Sequence, residues 1–142
     1  MASASDAAEV RQADGKVLQF RLGGSDYCVD IADVDEIVEA DDELTEVPNT
    51  PPHVAGVMDL RGRTTTIVDP RIALDLDTAV EPTSVVVFDS DDAATGWLVE
   101  DVERVRSVAD VPENRAHADG AVGGVYEFDD GYVIRVVPDE LG

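Results

Sequence analysis

Apolar and polar residues alternate along most of this chain. Leu18, Phe20 and Leu22 fall on one side of a run with period two, Tyr27, Val29 and Ile31 on one side of the next, and Gly23-Gly24 separates them; that pattern predicts a β-hairpin. From Ile31 the spacing changes. Ile31, Val34, Ile37 and Val38 recur at helical intervals, so residues 33–39 are expected to form a short helix or helical turn, followed by an acidic loop over 40–44. Residues 57–60 and 64–68 read as two strands joined through Arg61-Gly62-Arg63, the second rich in β-branched residues that suit a pleated surface. Another helical turn is expected over 71–76 and a connection over 77–83. Residues 84–88 and 96–99 make a further hairpin, and 123–128 with 132–137 a third, turning at Asp129-Asp130-Gly131.

The pattern repeats. Phe88 stands 68 residues after Phe20, and the same offset relates Gly96 to Cys28, Val102 to Val34, Val125 to Val57 and Pro138 to Pro70. The segment AGVMDLRGRTTTIVDP thus has a counterpart in GGVYEFDDGYVIRVVP, and DVDEIVE in DVERVRS. The chain is all-β in class, with two similar units in tandem, about 15–83 and 84–142. Each is small for independent stability and is expected to be stabilised by packing on the other.

The densest punctuation lies in residues 46–69, EVPNTPPHVAGVMDLRGRTTTIVD. Pro48, Asn49, Pro52, Gly56, Val57, Leu60, Arg61, Gly62 and Asp69 stand where the CheW chemotaxis coupling family has its characteristic run, roughly VPNxPxxxxGVxxLRGxxxxxxD, and FRLGGSDYCVDIADVDEIVE upstream resembles that family's opening segment. The resemblance covers most of the chain from Val17 onward. It implies two SH3-like five-stranded β-barrel subdomains with short helices, and a non-enzymatic adaptor linking the cytoplasmic tip of chemoreceptors to the regulatory domain of the histidine kinase CheA. By position in the family's pattern, Val34 and Glu36 match the receptor-contacting segment, and Leu60, Arg61 and Gly62 the coupling motif. Asp59, Thr66 and Pro70 depart from the pattern beside that motif, where asparagine, proline and leucine are usual.

Charge adds a second theme. Thirty-two acidic and ten basic residues give a net charge of -22 on 142 residues, while 44% hydrophobic content is enough for a core. The acids are spread between apolar strands and Lys16 is the only lysine. This favours adaptation to high salt, where a Debye length of about 3 Å at 1 M removes self-repulsion. The competing reading is an acidic decoy that occupies a basic site on an enzyme or DNA-binding protein. Direct nucleic-acid binding is excluded by the lack of a Lys/Arg cluster.

Residues 1–14 are small, polar and acidic, without the basic and apolar regions of a signal peptide; they read as a disordered tail, with no membrane insertion. Cys28 is the only cysteine, so no internal disulfide or thiolate metal cluster forms, and a cytoplasmic setting is the simplest. Asp89, Asp91 and Glu100 match three calcium-loop positions, but Ala93 and Ala94 occupy the next ligand position and the obligatory glycine position. His53 and His117 lack ligand spacing and read as loop residues. No nucleophile elbow, phosphate loop or Cys/His pair is present. Trp97, the counterpart of Val29, is expected in the core or between the subdomains. No cofactor is expected.

Overall fold

The computed structural model describes residues 15–40, 44–88, 94–116 and 118–138. They form β1 (Lys16–Leu22), β2 (Ser25–Asp30), a 3₁₀ turn (Ile31–Asp33), β3 (Val34–Glu39), β4 (Val54–Leu60), β5 (Arg63–Val68), α1 (Pro70–Ala73), β6 (Ser84–Phe88), β7 (Ala94–Val99), β8 (Asp101–Ser107), β9 (Glu113–Asn114), β10 (Val122–Phe128) and β11 (Gly131–Val136). The expected tail over 1–14, His117, and the acidic positions 89 and 91 of the calcium-like spacing lie outside the described residues.

The chain is all-β in two sheets, ordered β8-β1-β2-β11-β10-β9 and β3-β6-β7-β5-β4. The three hairpins read from period-two patterning are present as β1–β2, β6–β7 and β10–β11, and the RGR turn joins β4 to β5. One expectation is overturned. Residues 33–39 are not helical: only Ile31–Asp33 make a 3₁₀ turn, and Val34–Glu39 form a strand. Its burial alternates, with Val34, Glu36 and Val38 half-buried and Asp35, Ile37 and Glu39 exposed. Antiparallel pairing with β6 supplies the backbone partners, and the β-branched side chains fit the pleat. Apolar residues at 31, 34, 37 and 38 fit a helix only if Ile37 faces the core, and it is 44% exposed. The helical turn expected after the motif does form, starting at Pro70, with Asp69 as N-cap accepting from the Arg71 backbone N–H.

The repeat boundary near residue 83 does not coincide with the division between the sheets. β1 and β2, from the first repeat, complete the sheet of β8–β11, while β6 and β7, from the second, complete the sheet of β3–β5. The two repeats thus exchange their opening hairpins. The exchange is symmetric down to register, because the parallel pairs Thr66–Thr95 and Ile134–Tyr27 occupy equivalent repeat positions.

Core packing follows the same plan. Val17, Cys28, Tyr126 and Val133 form a small cluster on one sheet, and Met58, Ile67, Val85 and Val87 a second on the other. The largest cluster joins both sheets: Leu18, Phe20, Leu22, Tyr27, Val29 and Val136 meet Val68, Val86, Phe88, Trp97 and Val99. Trp97 is fully buried there, edge-on to Phe88 at 4.9 Å and to Phe20 at 6.3 Å between ring centroids. Of the two places expected for it, the core or between the subdomains, the structure shows the core, in the cluster that joins the two sheets.

Candidate partner-binding site

The β4–β5 turn is built from two residues with positive φ, Arg61 at 56° and Gly62 at 75°, as a two-residue type I′ hairpin requires. Glycine takes such a φ freely. Arginine does so at a cost of roughly 1 kcal/mol, for which asparagine or glycine would be the relaxed choice. The Arg61 side chain is 82% exposed, and its Nη2 lies 3.2 Å from Glu36 Oε1.

Glu36 reaches that position because it sits on β3 with the opposite orientation to Ile37. Its side chain is only 19% exposed, and the register shift between Val34 and Glu36 leaves Asp35 outside the ladder. β3 and β4 are the two outer strands of their sheet. The ion pair therefore spans the ends of a sheet that curls around the Met58–Ile67–Val85–Val87 cluster, against which Val38 and Leu60 also pack. The structure thus brings Glu36, Leu60, Arg61 and Gly62 together at one end of this sheet. Val34 stands apart: it pairs with Phe88 and packs against the larger inter-sheet core.

Two further motif residues have structural roles. Gly56 has φ 154°, and a Cβ there would lie 2.3 Å from the Thr45 carbonyl oxygen, which accepts from the Val57 N–H at 2.8 Å while the Thr45 N–H donates to the Val57 carbonyl at 2.9 Å. Asp69 holds the Arg71 guanidinium through both carboxylate oxygens at 3.0 Å. Arg71 continues to Glu100 Oε2 at 3.3 Å, which also accepts from the Gly23 N–H at 3.0 Å. The end of the motif is thereby tied to the β1–β2 turn. The hydrogen bond to Asp69 is the main reason the Arg71 pKa lies above its usual value.

Sequence reasoning missed the counterpart of the Glu36–Arg61 pair. The repeat offset carries Glu36 onto Arg104 and Gly62 onto Asp130, and these two form an ion pair at 3.0 Å with the charges reversed. Arg106 adds a second contact to Asp130 at 3.2 Å and lies 3.6 Å from the Phe128 ring centroid. Applied to charged positions, the offset sets Arg104 against Asp129, the counterpart of Arg61, and the structure uses the next residue of the same turn, Asp130.

Other candidates stay in structural roles. Cys28 is fully buried, and burial first, then the Asp30 charge, pushes its thiol far above the ordinary range. Among the described residues no cluster of three or more His, Cys, Asp or Glu has metal-binding geometry, and no helix is long and apolar enough to cross a membrane.

Comparison with known proteins agrees with this geometry. The chemotaxis protein CheW of Bacillus subtilis (strain 168) is 27% identical over 135 residues, covering 94% of this chain and 82% of that protein. The chemotaxis protein CheW of Rhizobium meliloti (strain 1021) is 34% identical over 98 residues, 67% of this chain and 62% of that one. The crystal structure of the scaffolding protein TtCheW from Thermoanaerobacter tengcongensis superimposes with a TM-score of 0.79 at 22% identity, covering 87% of this chain and 84% of that one, and shows a shared fold of two SH3-like subdomains. The CheW-like domain matches residues 16–139. The chain therefore belongs to the CheW-like domain family, a family of non-enzymatic scaffolding and coupling proteins of chemotaxis.

Proposed function

We propose that this chain couples the cytoplasmic tip of chemoreceptors to the regulatory domain of the histidine kinase CheA, in the cytoplasm and at membrane receptor arrays. In this reading Val34 and Glu36 face the receptor, and Leu60, Arg61 and Gly62 make the coupling contact. The observation that carries the proposal is Arg61: an exposed guanidinium held in a left-handed turn and aimed by a half-buried glutamate. Backbone strain at an exposed residue is a sign of function when the strained side chain adds little stability. An exposed ion pair of this kind contributes only about 0–1 kcal/mol. The planar fork suits a partner carboxylate or backbone carbonyl.

A charge exchange tests the proposal. Full-length protein carrying Arg61→Glu, and a second form carrying Glu36→Arg with Arg61→Glu, are compared with the wild type for co-sedimentation with kinase and receptor fragments in molar KCl. Both variants should assemble poorly, since neither offers a guanidinium at the turn. Full assembly by the exchanged pair would show that the ion pair, and not the arginine, is what partners require.

A further inference from the structure

The second repeat departs from the first at two positions where it places partly buried charged side chains. Where the first has Thr45 and the fully buried Ile67, the second has Glu113 and Arg135 at the same offset. Arg135 Nε donates to Glu113 Oε2, and both side chains are largely buried, 17% and 13% exposed. Two glycines make room for them: a Cβ on Gly123 would meet the terminal nitrogens of Arg135, and one on Gly124 the carboxylate of Glu113. A buried ion pair in place of an apolar residue is a poor route to stability, because desolvation of both charges offsets their attraction. Its position points elsewhere, since Glu113 and Arg135 line a cavity of about 410 Å³.

That cavity offers both signs of charge. Lys16, Arg115 and Arg135 line it together with Asp30, Asp33 and Glu113, three charges of each sign, on a chain that carries about three acids for each base. Arg115 donates to the other oxygen of Glu113 at 3.1 Å, so one carboxylate serves two guanidiniums. Asp30 interacts electrostatically with Arg135, yet no hydrogen bond joins the two among the described residues. Tyr126 completes the wall; burial, with the Glu113 charge second, pushes its pKa up to about 12. The volume lies within the range of small-molecule sites, which hold a few placed polar groups.

We propose that this cavity binds a small zwitterion of the α-amino-acid class, its carboxylate on Arg135 and Arg115 and its ammonium on Asp30. The 3₁₀ turn Ile31–Asp33 forms part of the wall and leads directly into β3.

L-alanine is titrated into the isotopically labelled full chain in high salt, beside propionate and ethylammonium, which carry its two charges separately. Amide resonances of 31–33 and 108–109 should shift saturably with L-alanine, and the half-ligands should bind at least about tenfold more weakly, as expected for loss of a hydrogen bond between charged groups. The variant Glu113→Thr with Arg135→Ile, which installs the residues of the first repeat, should keep the fold and lose the shifts. Asp30→Asn and Arg115→Gln lie at exposed positions and should each weaken binding without loss of folding, so they decide the matter if the double variant misfolds. Absence of a saturable shift up to about 50 mM, a range that would detect even a millimolar Kd, would overturn the proposal. So would equal responses to all three compounds, or unaltered binding by the variants.

Discussion

Arg61 is where backbone strain, exposure and pairing coincide, and each is separable by substitution. Replacing it with glycine removes the left-handed strain together with the exposed ion pair. The two effects oppose and are each about 1 kcal/mol or less. Arg61→Gly should therefore fold with a stability within about 0.5 kcal/mol of the wild type by denaturant titration, while failing to join a receptor–kinase assembly. A loss of 2 kcal/mol or more would make the arginine a structural residue. The arginine was legible in the sequence because it interrupts two strands at a turn, and the second repeat manages that turn with Asp129-Asp130. Its partner was not legible, because reading residues 33–39 as helical puts Glu36 on the wrong side of the chain.

At the scale of elements, period-two patterning found the hairpins because each is a local object whose alternation is set by its own core face. It failed at β3, where Val34 and Val38 fit either period, Ile37 fits only the helical one, and long-range pairing with β6 decides the outcome. It also left β8 and β9 unassigned; β8 is largely exposed along its length and β9 has only two residues. Gly56 stands in the sequence as one residue of the family's run, and the structure supplies a reason for it in the Thr45 carbonyl packed against it. Gly56→Ala must displace that backbone segment and also takes on an unfavourable φ. It should destabilise the protein by about 2 kcal/mol or more in a denaturant titration, and expose the Val57 amide to hydrogen exchange. A variant with unchanged stability would show that residues 44–53 are not held on β4 by this bridge.

At the scale of the whole molecule, the repeat was visible in the sequence but the exchange of hairpins was not. A constant offset says which residues are equivalent and leaves open which copy of a hairpin completes which sheet. The exchange has a direct consequence. A fragment ending at residue 83 lacks β6 and β7, which stand between β3 and β5, and lacks every strand that flanks the β1–β2 hairpin. It should be aggregated or molten, binding hydrophobic dyes without a cooperative melt; a cooperative transition in that fragment would contradict the exchanged arrangement. The charge also acts at this scale. With -22 on 142 residues, repulsion in dilute buffer opposes the compact state and is screened at molar salt. The melting temperature of the full chain should rise steeply with KCl, and a flat response would remove high-salt adaptation as the reason for the acidic surface.

The adaptor and decoy readings separate in one measurement: the affinity of the full chain for the CheA regulatory domain, determined calorimetrically from 0.2 to 3 M KCl (about 7 to 2 Å of screening length), with wild type and Arg61→Ala side by side. The adaptor account predicts that wild-type binding persists in molar salt, where the chain is best folded, and that Arg61→Ala weakens it at every salt concentration while melting at nearly the wild-type temperature. Binding that falls away with salt and is indifferent to Arg61→Ala would contradict it, and would assign the interaction to the acidic surface instead.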